Sequence, residues 1–379
     1  MQNKKKQIDF ILLVIIILLL SLGIVMVLSA SAPSALSETG NSYTYVTKQV
    51  IFAAIGFVVM YAVSKVDYRI YKKFYWGVYW ISVGILLLVL VPFLGVSANG
   101  ATRWINLGFT TFQPSELTKV GMIIFYAGYL SDHKNELKDF KKGFIKPFLF
   151  LVPPIGIALF IQNHLSVGLV MGAITVVMMI MAGCKLSHFI LTGLVVGGFG
   201  AGALGMFMAL KGESAGDANF RIDRILSFMD PWKDPLGTGY QAIQSLYAIG
   251  SGGLFGVGLG ESRQKYLYIP EPQNDFIFSI LAEELGFIGC TIVIILFALF
   301  IWRGILIAMK APDMFGSLLA TGITTLVMVQ VVINIGVVTN SIPNTGMPLP
   351  FFSAGGTALV ILMAMCGVLF NISKNMSKV

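Results

Sequence analysis

Long apolar segments alternate with short polar segments along almost the whole chain. About ten of the apolar segments approach the roughly 20 residues that a helix needs to cross a lipid bilayer. They lie at about 10–30, 49–64, 74–94, 114–130, 147–161, 165–183, 188–210, 276–302, 315–338 and 354–372. The pattern predicts an all-α integral membrane protein with about ten transmembrane helices, and residues 1–379 are interpreted as a single polytopic domain.

The placement of Lys and Arg predicts how these spans are oriented. Basic clusters occur in alternate inter-span segments: residues 4–6, 65–73, 134–146 and 374–378. Because basic loops stay in the cytoplasm, both termini are predicted to be cytoplasmic. Segment 211–274, between spans seven and eight, is then a large extracellular loop. Ala30-Ser31-Ala32 resembles a signal-peptidase site, but the apolar run before it is too long for a signal peptide.

Composition narrows the class of protein further. Hydrophobic residues make up 56% of the chain and charged residues only 12%, about half the share of soluble domains. The net charge of +8 lies largely in the short basic loops, which favours anionic lipid headgroups over nucleic acid. No disulfide framework is expected, and no metal site is predicted from the three widely spaced histidines.

Asp275 ends the long hydrophilic loop, and an apolar helix is predicted to begin at the next residue. Glu283 and Glu284 follow one to two turns further along that helix. Carboxylates at the membrane boundary are costly and are candidates for function. The alternative is that Asp275 only caps its helix, a role that its position alone favours.

The fourth span carries Glu116 and Lys119, three residues apart on one helix face. We expect them to pair, because an unpaired charge in the bilayer is costly. A purely structural ion pair and a role in lining a site stay equally open. The glycine-rich run 250–260 lacks the setting of a P-loop, and we interpret it as backbone that permits close approach.

Several basic residues fall on the predicted outer face, although basic residues are usually concentrated in the cytoplasmic loops. They are Arg103, Arg221, Arg224, Arg263 and Lys265. Arginine binds pyrophosphate oxygens in a bidentate manner, so this group indicates an anionic ligand outside the membrane. Headgroup contact by individual side chains is the alternative.

Motifs distributed over the chain carry a family resemblance. They are Arg103–Ile105, Gln113–Glu116, Gly239–Ser245, Ser251–Gly260, Ser262–Lys265, Pro270-Glu271, Asp275–Phe278, Glu283–Gly286 and Pro348–Gly356. Together they resemble the SEDS family (shape, elongation, division and sporulation proteins) over essentially the whole chain. The stretch Asp230–Gln241 is more similar to the division and sporulation branch (FtsW and SpoVE) than to the elongation branch.

The resemblance implies a peptidoglycan glycosyltransferase that polymerises lipid II at the outer face of the bacterial cytoplasmic membrane and releases undecaprenyl pyrophosphate. It implies that Asp275 is the essential loop aspartate and that Glu116 and Lys119 are the paired helix charges. It also implies a class B penicillin-binding transpeptidase as partner, among other division proteins. Whether the chain serves division or sporulation stays open.

We expect Asp275 to act as a general base on the acceptor hydroxyl of the sugar. Desolvation would raise its pKa, while the helix N-terminus and nearby arginines would lower it. Arg103 and Lys265 are preferred over Arg221 and Arg224 as cations for the leaving pyrophosphate. The expected cavity is completed by two further residues, Glu271 and Ser353. A divalent cation, Mg²⁺ or Mn²⁺, at Asp275 is left open.

Two positions depart from the family pattern. Asn163-His164 stands where many members have Pro-Asp, and Ser353–Thr357 reads Ser-Ala-Gly-Gly-Thr in place of Ser-Tyr-Gly-Gly-Ser. Two other functions are weighed, a lipid II flippase and a non-catalytic division scaffold. Transporters tend to show inverted repeats, and none is evident here. Polymer formation from lipid II in detergent would separate the enzyme from both alternatives.

Overall fold

The computed structural model of the chain describes residues 8–91, 94–98, 101–106, 108, 111–162, 164–193 and 227–376. The helices are α1 (Phe10–Thr39), α2 (Thr44–Lys65), α3 (Arg69–Lys73), α4 (Tyr75–Leu87), α5 (Pro114–Asp132), α6 (Lys146–Gly156), α7 (Leu165–Ala182), α8 (Tyr240–Gly252), α9 (Ile277–Met309), α10 (Met314–Val338) and α11 (Gly356–Lys374). Helical turns of π type, Phe140–Ile145 and Ile157–Ile161, extend α6 at both ends.

Seven helices of the described residues are long and apolar enough to cross a membrane. They are α1, α2, the extended α6, α7, α9, α10 and α11. The class predicted from the sequence, a helical protein that crosses the membrane several times, is therefore confirmed. Most of the predicted seventh span, 188–210, lies outside the described residues. The total of about ten spans stays a prediction.

The all-α class predicted from the sequence includes no strands, and the segment between α4 and α5 departs from it. This segment contains a small antiparallel sheet of β1 (Gly95–Ala98), β2 (Ala101–Asn106) and β3 (Thr111–Phe112), in the order β1-β2-β3. The sheet leads directly into α5, whose first residue is Pro114. Proline suits this position because its fixed φ matches the helix and its missing N–H needs no partner there.

Helix α1 is longer than the sequence suggested. The polar stretch after residue 30 continues the helix to Thr39, where Gly40 ends it with a φ of 72°. Ser31, Ser34 and Ala35 are buried in this extension. Packing against neighbouring segments therefore stabilises helix where composition alone indicated a loop.

Helix α10 lies at the centre of the bundle and is the most buried of the seven membrane-length helices. It packs against α5, α7 and α9, and α11 packs closely along α2. The apolar core is continuous through these helices. A polar side chain on α10 therefore needs a hydrogen-bond partner within the protein.

The two ends of the bundle differ in charge. At one end, which we call the basic end, three ion pairs join the loops predicted to be cytoplasmic: Asp9–Arg303, Arg69–Asp313 and Lys72–Asp132. The opposite end, the loop end, holds the sheet, residues 227–276 and residues 339–355. Ser29 lies about 20 residues along α1 from Asp9, a rise of roughly 30 Å. This distance matches the hydrocarbon thickness of a bilayer.

Candidate functional site

Helix α9 is broken at Gly286, which has φ 64° and ψ −165°. The glycine-rich run pairs with the break through main-chain hydrogen bonds: Val257 N to Glu283 O (3.0 Å), Gly258 N to Glu284 O (3.1 Å) and Phe287 N to Gly253 O (2.9 Å). A Cβ atom on Gly256 would lie 2.1 Å from the Glu284 carbonyl oxygen. The interpretation of this run as backbone that permits close approach is confirmed.

Glu283 and Glu284 fix the segment after the glycine run to the bundle. The Glu283 carboxylate accepts hydrogen bonds from Arg263 N (3.0 Å), Gln264 N (3.3 Å) and the Ser262 hydroxyl. The Glu284 carboxylate accepts from the Ser29 hydroxyl (2.6 Å) and pairs with the Lys265 ammonium (2.9 Å). Both carboxylates are therefore occupied by contacts within the protein.

Lys265 was expected to face the leaving pyrophosphate, and the structure corrects this placement. Its side chain is 4% exposed, and its ammonium group also contacts Ser29 Oγ (3.1 Å) and the Gly260 carbonyl oxygen. A buried cation needs a charged partner and further hydrogen bonds, and Glu284 and its neighbours supply them. Lys265 is thus part of a buried ion pair rather than of an open anion-binding surface.

Asp275 lies just before α9 at the loop end. The cap position of α9 belongs to Phe276, and no side chain makes a capping hydrogen bond there. Among the described residues, no hydrogen bond or ion pair engages the Asp275 carboxylate, which is half-buried. A Cβ atom on Gly346 would lie 3.2 Å from Asp275 Oδ2, so the carboxylate faces this glycine. The interpretation of Asp275 as a helix cap was wrong.

The surroundings of Asp275 raise its pKa to about 6. Burial is the main cause, because it penalises the ionised form, and the negative charge of Glu271 acts in the same direction. Arg103 opposes both by stabilising the ionised carboxylate. The sequence left open whether the pKa of Asp275 is raised or lowered. In the structure, the increase caused by desolvation is larger than the decrease caused by Arg103.

The main chain next to Asp275 is held by side chains of other elements. Asn334 Nδ2, on α10, donates to the carbonyl oxygens of Asp275 (2.7 Å) and Met347 (2.8 Å). Ser353 Oγ donates to Asn274 O (2.7 Å) and accepts from Leu349 N (2.8 Å). Ser353, predicted as a cavity residue, thus contacts the chain beside Asp275. Asn334 was missed, although an amide in an apolar span was a signal.

Glu116 and Lys119 form the predicted ion pair, with Lys119 Nζ 2.7 Å from Glu116 Oε1. Both side chains are buried in the first turns of α5. Arg103, on β2, donates from Nε to the Gln162 carbonyl oxygen at 3.0 Å. The sheet therefore holds Arg103 at the loop end, within electrostatic reach of Asp275.

The structure gives less support to a site role for the remaining predicted residues. Glu271 is exposed, has a φ of 47° and accepts from Asn274 Nδ2 at 2.8 Å. Arg221 and Arg224 lie outside the described residues. His164, at the departure from the family pattern, is buried and contacts Gln113 (Nε2 to Nε2, 3.0 Å). In the described ranges, no three His, Cys, Asp or Glu side chains gather where they could hold a metal ion.

Fold and site together define a membrane protein that crosses the bilayer several times and holds a half-buried carboxylate with a raised pKa at one end. The family model described as "Cell cycle protein" (FtsW, RodA and SpoVE) matches residues 10–378, and the chain belongs to this family. The resemblance to the SEDS family is thereby confirmed.

Individual relatives agree with this assignment. The chain is 44% identical to stage V sporulation protein E of Bacillus subtilis (strain 168), over 99% of both chains. It is 39% identical to a probable peptidoglycan glycosyltransferase FtsW of Geobacter sp. (strain M18), over 97% of both.

Solved structures show the same fold. A chain of a peptidoglycan synthase complex, described for its coordination of polymerization and crosslinking, matches with a TM-score of 0.80 and 27% identity, over 97% of this chain and 98% of that chain. The rod shape determining protein RodA of Thermus thermophilus matches with a TM-score of 0.69 and 25% identity, over 98% of each.

Proposed function

We propose that the chain is a peptidoglycan glycosyltransferase that polymerises lipid II at the outer face of the bacterial cytoplasmic membrane. The family and the named activity of its relatives support this function. The observation that carries it is the Asp275 carboxylate at the loop end, which has no partner among the described residues and a raised pKa.

Asp275 would act as the general base. Its carboxylate takes the proton of the acceptor 4-hydroxyl as that oxygen bonds to the anomeric carbon of the other sugar. The bond from this carbon to the pyrophosphate breaks, and its electron pair leaves with undecaprenyl pyrophosphate. A carboxylate with a pKa of about 6 is still mostly ionised at neutral pH and binds a proton more strongly than an ordinary aspartate. General base catalysis typically contributes about 10²–10⁴-fold.

Arg103 would stabilise the charge that develops on the pyrophosphate. It is held by the sheet near Asp275, and its guanidinium offers paired donors for phosphate oxygens. Arg221 and Arg224, which lie outside the described residues, are proposed as additional donors. Lys265 takes no part in this proposal, since its charge is already used by Glu284. The Glu116–Lys119 pair would shape the cavity wall, and Ser353 would hold the chain next to the base.

A class B penicillin-binding transpeptidase is the proposed partner. The matching solved complex couples polymerization with crosslinking, and this chain covers 98% of the chain that it matches there. A partner of that class would join the glycan strands that this chain extends.

The test is polymerisation of fluorescent lipid II by the purified protein with its transpeptidase partner in detergent. Asp275→Asn is expected to abolish glycan strands on a gel while the protein elutes as a folded species. Asp132→Asn, which removes a carboxylate that pairs with Lys72 at the basic end, is the matched control and should retain activity. Glycan strands made by Asp275→Asn at the wild-type rate would refute the assignment of the base.

A further inference from the structure

Asn334 is a buried polar residue of α10 whose side chain contacts the chain at Asp275 and at Met347. Its side chain is fully buried, and Nδ2 donates to the carbonyl oxygens of Asp275 and Met347. Its Oδ1 atom is buried without a hydrogen-bond partner among the described residues. Burying an amide in an apolar helix costs free energy, and this residue satisfies only part of its hydrogen-bonding capacity.

The two carbonyl groups belong to different segments. Asp275 ends the segment that leads into α9, whereas Met347 follows Gly346 in the loop between α10 and α11. A single nitrogen atom bonded to both oxygens sets the distance between these two carbonyl groups, while Ser353 joins the same segments at Asn274. Because Gly346 approaches Asp275 Oδ2, the same spacing sets the position of the carboxylate.

We propose that Asn334 is a positioning residue for Asp275: it ties the Asp275 and Met347 carbonyl groups together so that the carboxylate is held in place for proton transfer. This inference rests on the proposed function. Without the amide, the Asp275 and Met347 carbonyl oxygens lose their common donor and repel each other. The bond from Ser353 to Asn274 still joins the two segments, but the carboxylate loses its defined position relative to the acceptor hydroxyl. A misplacement of about 1 Å in a reacting group can cost on the order of 100-fold in rate.

The chain offers a matched control in Asn371 on α11. This residue is also buried and bonds to the main chain twice, donating to Ser64 O (3.0 Å) and accepting from Tyr68 N (3.0 Å). These contacts lie at the basic end, away from Asp275. Replacing either asparagine removes comparable hydrogen bonds, but only Asn334 is connected to the site.

The experiment measures initial rates of lipid II polymerisation by the protein with its partner, against lipid II concentration and pH. Asn334→Leu, which is similar in size and cannot donate, is expected to lower kcat about 100-fold with KM changed less than about threefold. Asn371→Leu is expected to keep kcat near the wild-type value. Melting temperatures of both variants show whether they fold.

Asn334→Asp separates the hydrogen bonds from the shape of the side chain. Buried against two carbonyl oxygens, its carboxyl group is protonated and keeps one donor, so it bonds to one of the two carbonyl groups instead of both. Its kcat is expected to lie between those of wild type and Asn334→Leu, whereas Asn371→Asp should keep kcat near the wild-type value. This pair also keeps the proposal testable if Asn334→Leu does not fold.

Wild-type kcat in Asn334→Leu, an equal loss in Asn371→Leu, or equal kcat values in Asn334→Asp and Asn371→Asp would each overturn the positioning role. Failure of the proposed function has a different signature, namely that Asp275→Asn remains active. Full activity of Asn334→Leu beside an inactive Asp275→Asn would refute the positioning role alone.

Discussion

Asp275 experiences opposite effects from two charged neighbours. Glu271 raises the pKa of its carboxyl group and Arg103 lowers it, while burial makes the largest contribution. A general base works in its ionised form, so the rate of polymerisation should fall as the pH is lowered through about 6.

Two substitutions should move this acid limb in opposite directions. Glu271→Gln removes a negative charge, which lowers the pKa of Asp275 and moves the limb to lower pH. Arg103→Gln removes a positive charge and moves it to higher pH, with a loss of rate if Arg103 also binds pyrophosphate. The kcat–pH profiles of both variants check the prediction. Shifts of the same sign would contradict the electrostatic account.

Gly346 lies against the Asp275 carboxylate, so a side chain added at this position would affect the geometry of the site. Its φ is 63°, and an added Cβ atom would lie 3.2 Å from Asp275 Oδ2. Gly346→Ala should therefore strain the loop and displace the carboxylate, lowering kcat by at least about tenfold while costing on the order of 1 kcal/mol in stability.

Gly40→Ala is the control for Gly346→Ala. Gly40 has a similar φ of 72°, but its Cβ atom would meet nothing within 4 Å. A similar loss of melting temperature with unchanged kcat is expected there. Equal activity in the two variants would show that the contact with Asp275 has no effect on catalysis.

Among the connections between elements, the buried ion pair Lys265–Glu284 is expected to have the largest effect on the free energy of unfolding. Removing one partner leaves the other charge buried without compensation, which typically costs about 3–5 kcal/mol. Lys265→Met and Glu284→Gln should each lower the melting temperature strongly, and the double variant should recover much of the loss. Additive losses in the double variant would contradict the pairing.

The sequence predicts those contacts that depend on local spacing. The Glu116–Lys119 pair follows from a separation of three residues on one helix, and the glycine run follows from the conformational freedom of its residues. The site at Asp275 is only partly predictable in this way. The sequence located Asp275 at the helix boundary. Whether this residue caps α9 depends on the exact first residue of the helix, which the sequence did not predict.

Contacts between distant parts of the chain could not be predicted. Ser29, which shares Glu284 with Lys265, is separated from Lys265 by 236 positions. The sequence gives no sign that α1 passes this point, so the ammonium group was assigned to an open surface. In the same way, the sequence indicates a polar residue at Asn334 in an apolar span, but it does not indicate which two carbonyl groups this residue joins.

In the described part of the bundle, the ion pairs lie at two ends that are separated by about the thickness of a bilayer. The loops predicted to be cytoplasmic meet at the basic end, whereas Asp275 and Arg103, the described residues proposed for chemistry, lie at the loop end. This separation suits an enzyme whose lipid-linked substrates stand above the membrane surface. The absence of charged pairs between these ends, in the described part of the chain, agrees with a hydrocarbon layer there.

Helices α1 and α9 are joined at two heights, by Asp9 with Arg303 and by Ser29 with Glu284. The two attachments lie roughly 30 Å apart on either side of the break at Gly286, so α1 braces both parts of α9. They form a rigid frame beneath the segment that leads to Asp275. A bulky lipid-linked sugar must therefore reach Asp275 beside this frame, because moving α1 away from α9 would break both attachments.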